Sequence, residues 1–160
     1  MRFIIFLLFF LCFSCEINNN KAVKTNYKSG MVSSAHPLAS EVGIDVLKRG
    51  GNVFDAAIAV HFALSVVYPS AGNLGGGGFA VYRLNNGNVG TLDFREKAPK
   101  LSLRNMYLKE ENGKLVVDDN KSKLGHLASG VPGSVDGMVT LHERFGSLGW
   151  STLLDPSIKL

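Results

Sequence analysis

The chain has 160 residues, 46% apolar and 19% charged, which is one domain's worth of globular protein and excludes a disordered chain. Its formal charge of +4 is mild, and its lysines and arginines are scattered without a basic stripe interleaved with aromatics, so nucleic acid is not an expected partner. The 18 glycines follow no period, which excludes collagen-like and solenoid architectures.

Residues 1–15 form a separate object: a positive Met1-Arg2, an unbroken apolar run from Phe3 to Phe13, then Ser14-Cys15. The run is shorter than the ~20 residues of a membrane-spanning helix and has the layout of a secretory signal. Cys15, preceded by a small residue, resembles the lipid-modified cysteine of bacterial lipoproteins, with Cys12-Phe13-Ser14-Cys15 in the place of a lipobox. Cys12 stands where a leucine is usual, so ordinary cleavage after Ser14 is the rival reading. The expectation is an exported protein, periplasmic or in the cell envelope, touching membrane only through a lipid on Cys15. Both cysteines lie in this segment, which leaves the rest without a disulfide, a thiol nucleophile or a Cys-based metal site.

Residues 16–29 are polar and aperiodic, as suits a tether. Met31 to Ala35 is a candidate short strand. Pro37 then suits the first turn of a helix with an apolar stripe of Leu38, Val42 and Val46, ended by Lys48-Arg49 and Gly50-Gly51. Asn52 and Asp55 have the spacing of a capping box for a second helix, Val53 to Val67, which is apolar almost all round and therefore reads as buried. His61 within it reads as a core histidine hydrogen-bonded to a neighbour.

The segment Gly72 to Pro99 organises the chain. Four consecutive glycines, Gly75, Gly76, Gly77 and Gly78, permit positive φ and the close approach of another chain segment or a ligand. Phe79 to Leu84 follows as a strand apolar on both faces, as expected inside a layered sheet. Asn85-Asn86-Gly87-Asn88 suits a tight turn, so Val89 to Phe94 returns as the antiparallel partner. Arg95 at its exit carries a planar fork of donors that fits a carboxylate or phosphate; a structural ion pair with Asp93 or Glu96 is the alternative.

Leu101 to Leu108 reads as a short helix or loop, and Asn112-Gly113 as the turn of a small hairpin. A second glycine-rich segment, Gly125 to Gly133, leads into a helix from Ser134 to Phe145 with Val135, Met138, Val139 and His142 on one face, closed by Gly146. Pro156 reads as the start of another helix. Only one turn of it fits before Leu160, and one turn does not offset its nucleation cost, which suggests the N-terminal piece of a longer protein.

Familiar site chemistries fit poorly. The glycine run follows a helix and precedes a strand and lacks Gly-Lys-Ser/Thr, so neither a P-loop nor a dinucleotide turn is expected. Ser33, Ser34 and His36 offer triad components on paper, without a Gly-x-Ser-x-Gly elbow. His36, His61, His126 and His142 are too dispersed for a zinc site.

Five blocks carry a resemblance: Met31-Val-Ser-Ser-Ala-His-Pro-Leu-Ala-Ser40, Gly50-Gly-Asn-Val-Phe-Asp-Ala-Ala57, Gly75-Gly-Gly-Gly-Phe79, Asp93-Phe-Arg-Glu-Lys-Ala-Pro99 and Gly130-Val-Pro-Gly133. In this order they closely resemble the start of the large subunit of the γ-glutamyltranspeptidases, over residues 30–160. The resemblance implies an α/β fold, the N-terminal portion of the αββα four-layer sandwich of N-terminal nucleophile hydrolases, with no cofactor and no metal. It implies a precursor that cuts itself into two subunits and exposes a threonine, whose hydroxyl attacks the γ-glutamyl amide of glutathione while its own amine serves as base. It assigns Arg95 to the α-carboxylate of the γ-glutamyl group. The threonine and the oxyanion-stabilising groups belong to a C-terminal remainder, so residues 1–160 alone are expected to be inactive. The alternative is a non-catalytic envelope lipoprotein that binds γ-glutamyl or amino-acid ligands on the same scaffold.

Overall fold

The computed structural model describes residues 30–160. The signal and lipidation readings of residues 1–15, Cys15 included, and the tether reading of 16–29 lie outside the described residues.

Helix α1 spans Pro37–Lys48, with Pro37 in its first turn. Its N-cap is His36, whose Nδ1 accepts the Leu38 amide at 3.3 Å. The buried stripe is Ala39, Val42, Gly43 and Val46, whereas Leu38 is 41% exposed. Residues four apart drift by about 40° per step around a 3.6-residue helix, so Leu38 rotates out of the face that Val42 and Val46 share. Met31 to Ala35 is not a strand. Val32 instead wedges between helices: a Cβ on Gly43 would stand 2.9 Å from Val32 and 2.6 Å from Val60.

Helix α2, Val53–Val67, begins with the expected capping box. Asn52 Oδ1 accepts the Phe54 and Asp55 amides at 2.8 and 3.1 Å, and Asp55 Oδ2 accepts the Asn52 amide at 2.9 Å. Not every face of α2 is covered, for Val53 and Val66 are exposed. Its buried side, with Phe54, Ile58, Ala59, Phe62 and Ala63, packs on α1, on α3 (Ser134–Phe145) and on α4 (Trp150–Lys159). Ile58, Val46 and Leu153 are the largest apolar side chains fully enclosed by this packing.

Asp55 has a second duty that its capping position does not announce. It is completely buried, and its carboxylate reaches across to the loop between α3 and α4. Ser147 donates through its amide at 3.0 Å and its hydroxyl at 2.5 Å, and the Leu148 amide donates at 3.4 Å. Burial pushes the Asp55 carboxyl upward, but the Ser147 hydroxyl and the amides of Asn52, Ser147 and Leu148 outweigh it and hold it below the ordinary carboxylate value.

Strands β1 (Phe79–Arg83) and β2 (Val89–Asp93) form the expected antiparallel hairpin, with Phe79 opposite Asp93 and Arg83 opposite Val89. Gly87 takes φ 90° in the turn, where an L side chain would be strained. The inner face, Ala80, Tyr82, Leu84 and Leu92, packs on the helical core, and Tyr82 meets Phe54 and Phe145 edge-on. The outer face is open among the described residues: Phe79 is 64% and Val81 81% exposed. Burial on both faces, expected from the apolar pattern, is therefore seen on one face only.

A second hairpin, β3 (Leu108–Glu111) with β4 (Lys114–Val117), turns at Asn112-Gly113 as expected, both residues at positive φ. Helix α3 has its expected bounds but a different buried face: Ser134, Gly137, Met138 and Leu141, with Val135 exposed. The face is set by Gly137, which lies against the ring of Phe94; a glycine has no side chain for a hydrophobic pattern to register. Helix α4 starts at Trp150, with Gly149 as N-cap, and contains Pro156 in its interior. It has ten residues rather than one turn, with Leu153 buried, so the nucleation argument drawn from Pro156 no longer applies.

Candidate active site

The exit of β2 is held from both sides by backbone. Phe94, buried, exchanges hydrogen bonds with Gly78, its amide to the Gly78 carbonyl at 3.0 Å and the Gly78 amide to its carbonyl at 3.4 Å. Three residues on, Lys97 and Val131 exchange a second pair at 3.1 and 2.8 Å. The Gly76 carbonyl accepts the amides of Gly133 and Ser134 at 2.8 and 3.0 Å, so it caps the first turn of α3 from outside. Asp93 Oδ1 accepts the Arg95 amide at 2.9 Å, tightening the bend between them.

Glycines make this closeness possible. A Cβ on Gly77 would stand 2.6 Å from the Phe94 carbonyl oxygen and 2.7 Å from the Glu96 nitrogen. A Cβ on Gly133 would collide with the Phe94 carbonyl from the other side, and Gly78 and Gly137 touch the Phe94 ring. None of Gly75 to Gly78 adopts a left-handed φ. Of the two uses offered by the sequence, close approach of a chain segment is the one the fold displays, and that segment is Phe94-Arg95-Glu96. Gly75 stands apart, with open space where a Cβ would go.

On this clamped backbone the Arg95 side chain is turned outward, 61% exposed. Glu96 Oε2 accepts its Nε at 3.1 Å, and its Cζ lies 5.7 Å from the centre of the Phe79 ring. Among the described residues, no hydrogen bond reaches its two terminal nitrogens. The Glu96 carboxyl is held low first by its own backbone amide and then by Arg95. Beside Arg95 opens a cleft of about 230 Å³ bounded by Asp93, Arg95 and Lys97 on one side and Val131, Pro132 and Asp136 on the other. Such a cleft offers donors for an anionic group and acids that fit an ammonium.

The other candidates are scattered. His36 caps α1, and Ser34 Oγ bonds the His36 carbonyl at 2.9 Å and Ser40 Oγ at 2.8 Å, which is capping and turn chemistry rather than a triad. His142 Nε2 is 2.8 Å from the Leu148 carbonyl. His61 differs from its expected role: its buried Nε2 has no partner among the described residues, and burial pulls its pKa down. It lies between a cleft of about 380 Å³ along α2 and one of about 220 Å³ that it shares with Ser134. Among the described residues, no group of three or more His, Cys, Asp or Glu is placed to hold a metal ion.

Sequence reasoning singled out Arg95 and the glycine run but not their mutual contact, nor Gly133 and Gly137 as the opposing jaw. The one available signal was Gly130-Val-Pro-Gly133, glycines flanking a proline just before a helix.

Solved structures share this architecture. The crystal structure of Helicobacter pylori γ-glutamyltranspeptidase superposes with a TM-score of 0.77 at 52% identity, covering 85% of this chain and 38% of that one. The enzyme from Pseudomonas nitroreducens, complexed with L-DON, gives 0.76 at 45% identity, covering 83% and 38%. The fold is thus the mixed α/β scaffold of the N-terminal nucleophile hydrolases, of which this chain carries a part. The family model of gamma-glutamyltranspeptidase matches residues 39–160. The glutathione hydrolase proenzyme of Escherichia coli (strain K12) is 46% identical over 133 residues, 83% of this chain and 22% of that protein. The chain belongs to the γ-glutamyltranspeptidase family, and it spans about a fifth of the length of that curated relative.

Proposed function

We propose that the chain contributes the carboxylate-gripping wall of an enzyme that cleaves γ-glutamyl amides, glutathione among them. The γ-glutamyl group passes to a threonine supplied by polypeptide beyond Leu160, and from that covalent intermediate to water or to an amino-acid or peptide acceptor. Arg95 carries this reading: its backbone is clamped at neighbouring points on both sides while its guanidinium stands at a cleft with its terminal donors free among the described residues. A fixed, bidentate grip on the α-carboxylate holds the γ-amide at a set distance from the attacking hydroxyl. The relatives' names, glutathione hydrolase proenzyme and γ-glutamyltranspeptidase, agree with it. The apolar run after Met1-Arg2 supports export from the cytoplasm, with residues 1–15 as the signal region and Cys15, just after a cut behind Ser14, as the lipid anchor; ordinary cleavage after Ser14 without a lipid is the alternative.

The test is release of 4-nitroaniline from γ-glutamyl-4-nitroanilide by the full-length, self-cleaved protein. Turnover is expected, and residues 30–160 alone should show none. A correctly cleaved protein that binds glutamate but releases no nitroaniline would instead make it a binding module.

A further inference from the structure

We propose that Phe79 is a positioning residue for Arg95: its ring is the floor on which the guanidinium rests, so that the two terminal nitrogens face a carboxylate already aligned. The inference rests on the reading of Arg95 given above. It begins with register. The paired hydrogen bonds between Gly78 and Phe94 set Phe79 opposite Asp93, on the outer face of the hairpin. Arg95 stands two residues beyond Asp93, past the end of β2 and after the bend that the Asp93 carboxylate tightens, and from there its long side chain reaches back to the ring of Phe79.

The observed geometry uses that reach. A separation of 5.7 Å between Cζ and the ring centre places the cation within range of the negative face of the ring. Glu96 occupies the Nε edge at 3.1 Å. With its cation over the ring and its Nε on Glu96, the group retains the edge formed by its terminal nitrogens, whose parallel donors match a carboxylate. Arginine side chains lose much rotamer freedom when they bind, and a guanidinium already seated loses less of it on meeting its ligand. Among the described residues Phe79 is 64% exposed, and the Arg95 guanidinium lies over its ring. A leucine would supply apolar volume without a π face; a tyrosine would supply both.

The experiment compares wild type, Phe79→Leu, Phe79→Tyr, Arg95→Ala and the Phe79→Leu/Arg95→Ala double variant in the full-length protein, using γ-glutamyl-4-nitroanilide. Phe79→Leu should raise KM about three- to tenfold, the range expected for loss of a cation on an aromatic face, with kcat within about twofold. Phe79→Tyr should restore the wild-type KM. In the Arg95→Ala background Phe79→Leu should add no further rise, because the residue acts through the arginine. An equal rise in both backgrounds, or a failure of tyrosine to restore KM, would make Phe79 a packing residue and overturn the inference. If Arg95→Ala raises KM and Phe79→Leu does not, the role of Arg95 stands and that of Phe79 falls. If Arg95→Ala changes nothing, the reading of Arg95 itself falls. Should Phe79→Leu fail to fold, Phe79→Met also removes the π face while keeping apolar volume, with the same expected outcomes.

Discussion

Gly77 and Arg95 are in backbone contact: a Cβ on Gly77 would stand 2.8 Å from the Arg95 Cα. Nothing flexible lies in between to yield, so Gly77→Ala must displace the segment that carries the guanidinium. Misplacing a binding group by about 1 Å can cost on the order of a hundredfold in rate, and forcing a methyl into close-packed structure costs about 1–3 kcal/mol. The variant should lose at least about tenfold in kcat/KM for γ-glutamyl-4-nitroanilide, a loss of about 1.4 kcal/mol. Gly75→Ala, with nothing within 4 Å of the added carbon, should behave as wild type. Equal kinetics for the two variants would show that the run is not a chain-approach device.

The Asp55 carboxylate binds α2 to the loop after α3, and its removal leaves the Ser147 and Leu148 amides without their acceptor. Asp55→Ala should therefore destabilise the protein by about 3 kcal/mol, read as a fall in Tm. Because its folded pKa is lowered, its contribution is full above the ordinary aspartate value of 3.8 and is lost as pH falls through the folded value. Thermal unfolding followed from neutral to strongly acid pH should show wild type losing stability at the acid end and the variant losing less, so parallel profiles would contradict the assignment.

An imidazole with an unpartnered buried nitrogen costs stability, and His61 is such a group among the described residues. Its pKa is lowered by burial, so the unfolded chain takes up a proton first, and stability falls as pH drops below the ordinary histidine value of 6.5. His61→Leu should raise Tm at about pH 6 and flatten the slope there, with a gain of about 1 kcal/mol. A lower Tm at every pH would mean that Nε2 has a partner in the whole protein.

Much of this was legible in the sequence, and the misses share a cause. The bounds of α2 and α3, the capping box at Asn52 and Asp55, and both hairpin turns are local signals, complete within a few residues. What failed depends on residues far apart in the chain. The face of α3 is chosen by Phe94 through Gly137, the packing of Val32 by Gly43, and the second duty of Asp55 by Ser147. Reasoning from a single helix breaker also misleads: Pro156 was expected to open a helix, yet buried Leu153 draws that helix back to Trp150. At the site, the residue type of Arg95 was enough to single it out, while its ring floor and glycine jaws emerge only once β1 and β2 are paired.

Steady-state kinetics of Arg95→Ala in the full-length protein tests the central claim most directly, with Arg95→Lys as the conservative partner. A hydrogen-bonded charge pair lost at a binding site costs about 2–5 kcal/mol, so KM for γ-glutamyl-4-nitroanilide should rise at least about thirtyfold, with lysine recovering only part because it lacks the bidentate fork. A KM within about twofold of wild type, in a protein that still folds and cleaves itself, would contradict the account, being far smaller than any such loss.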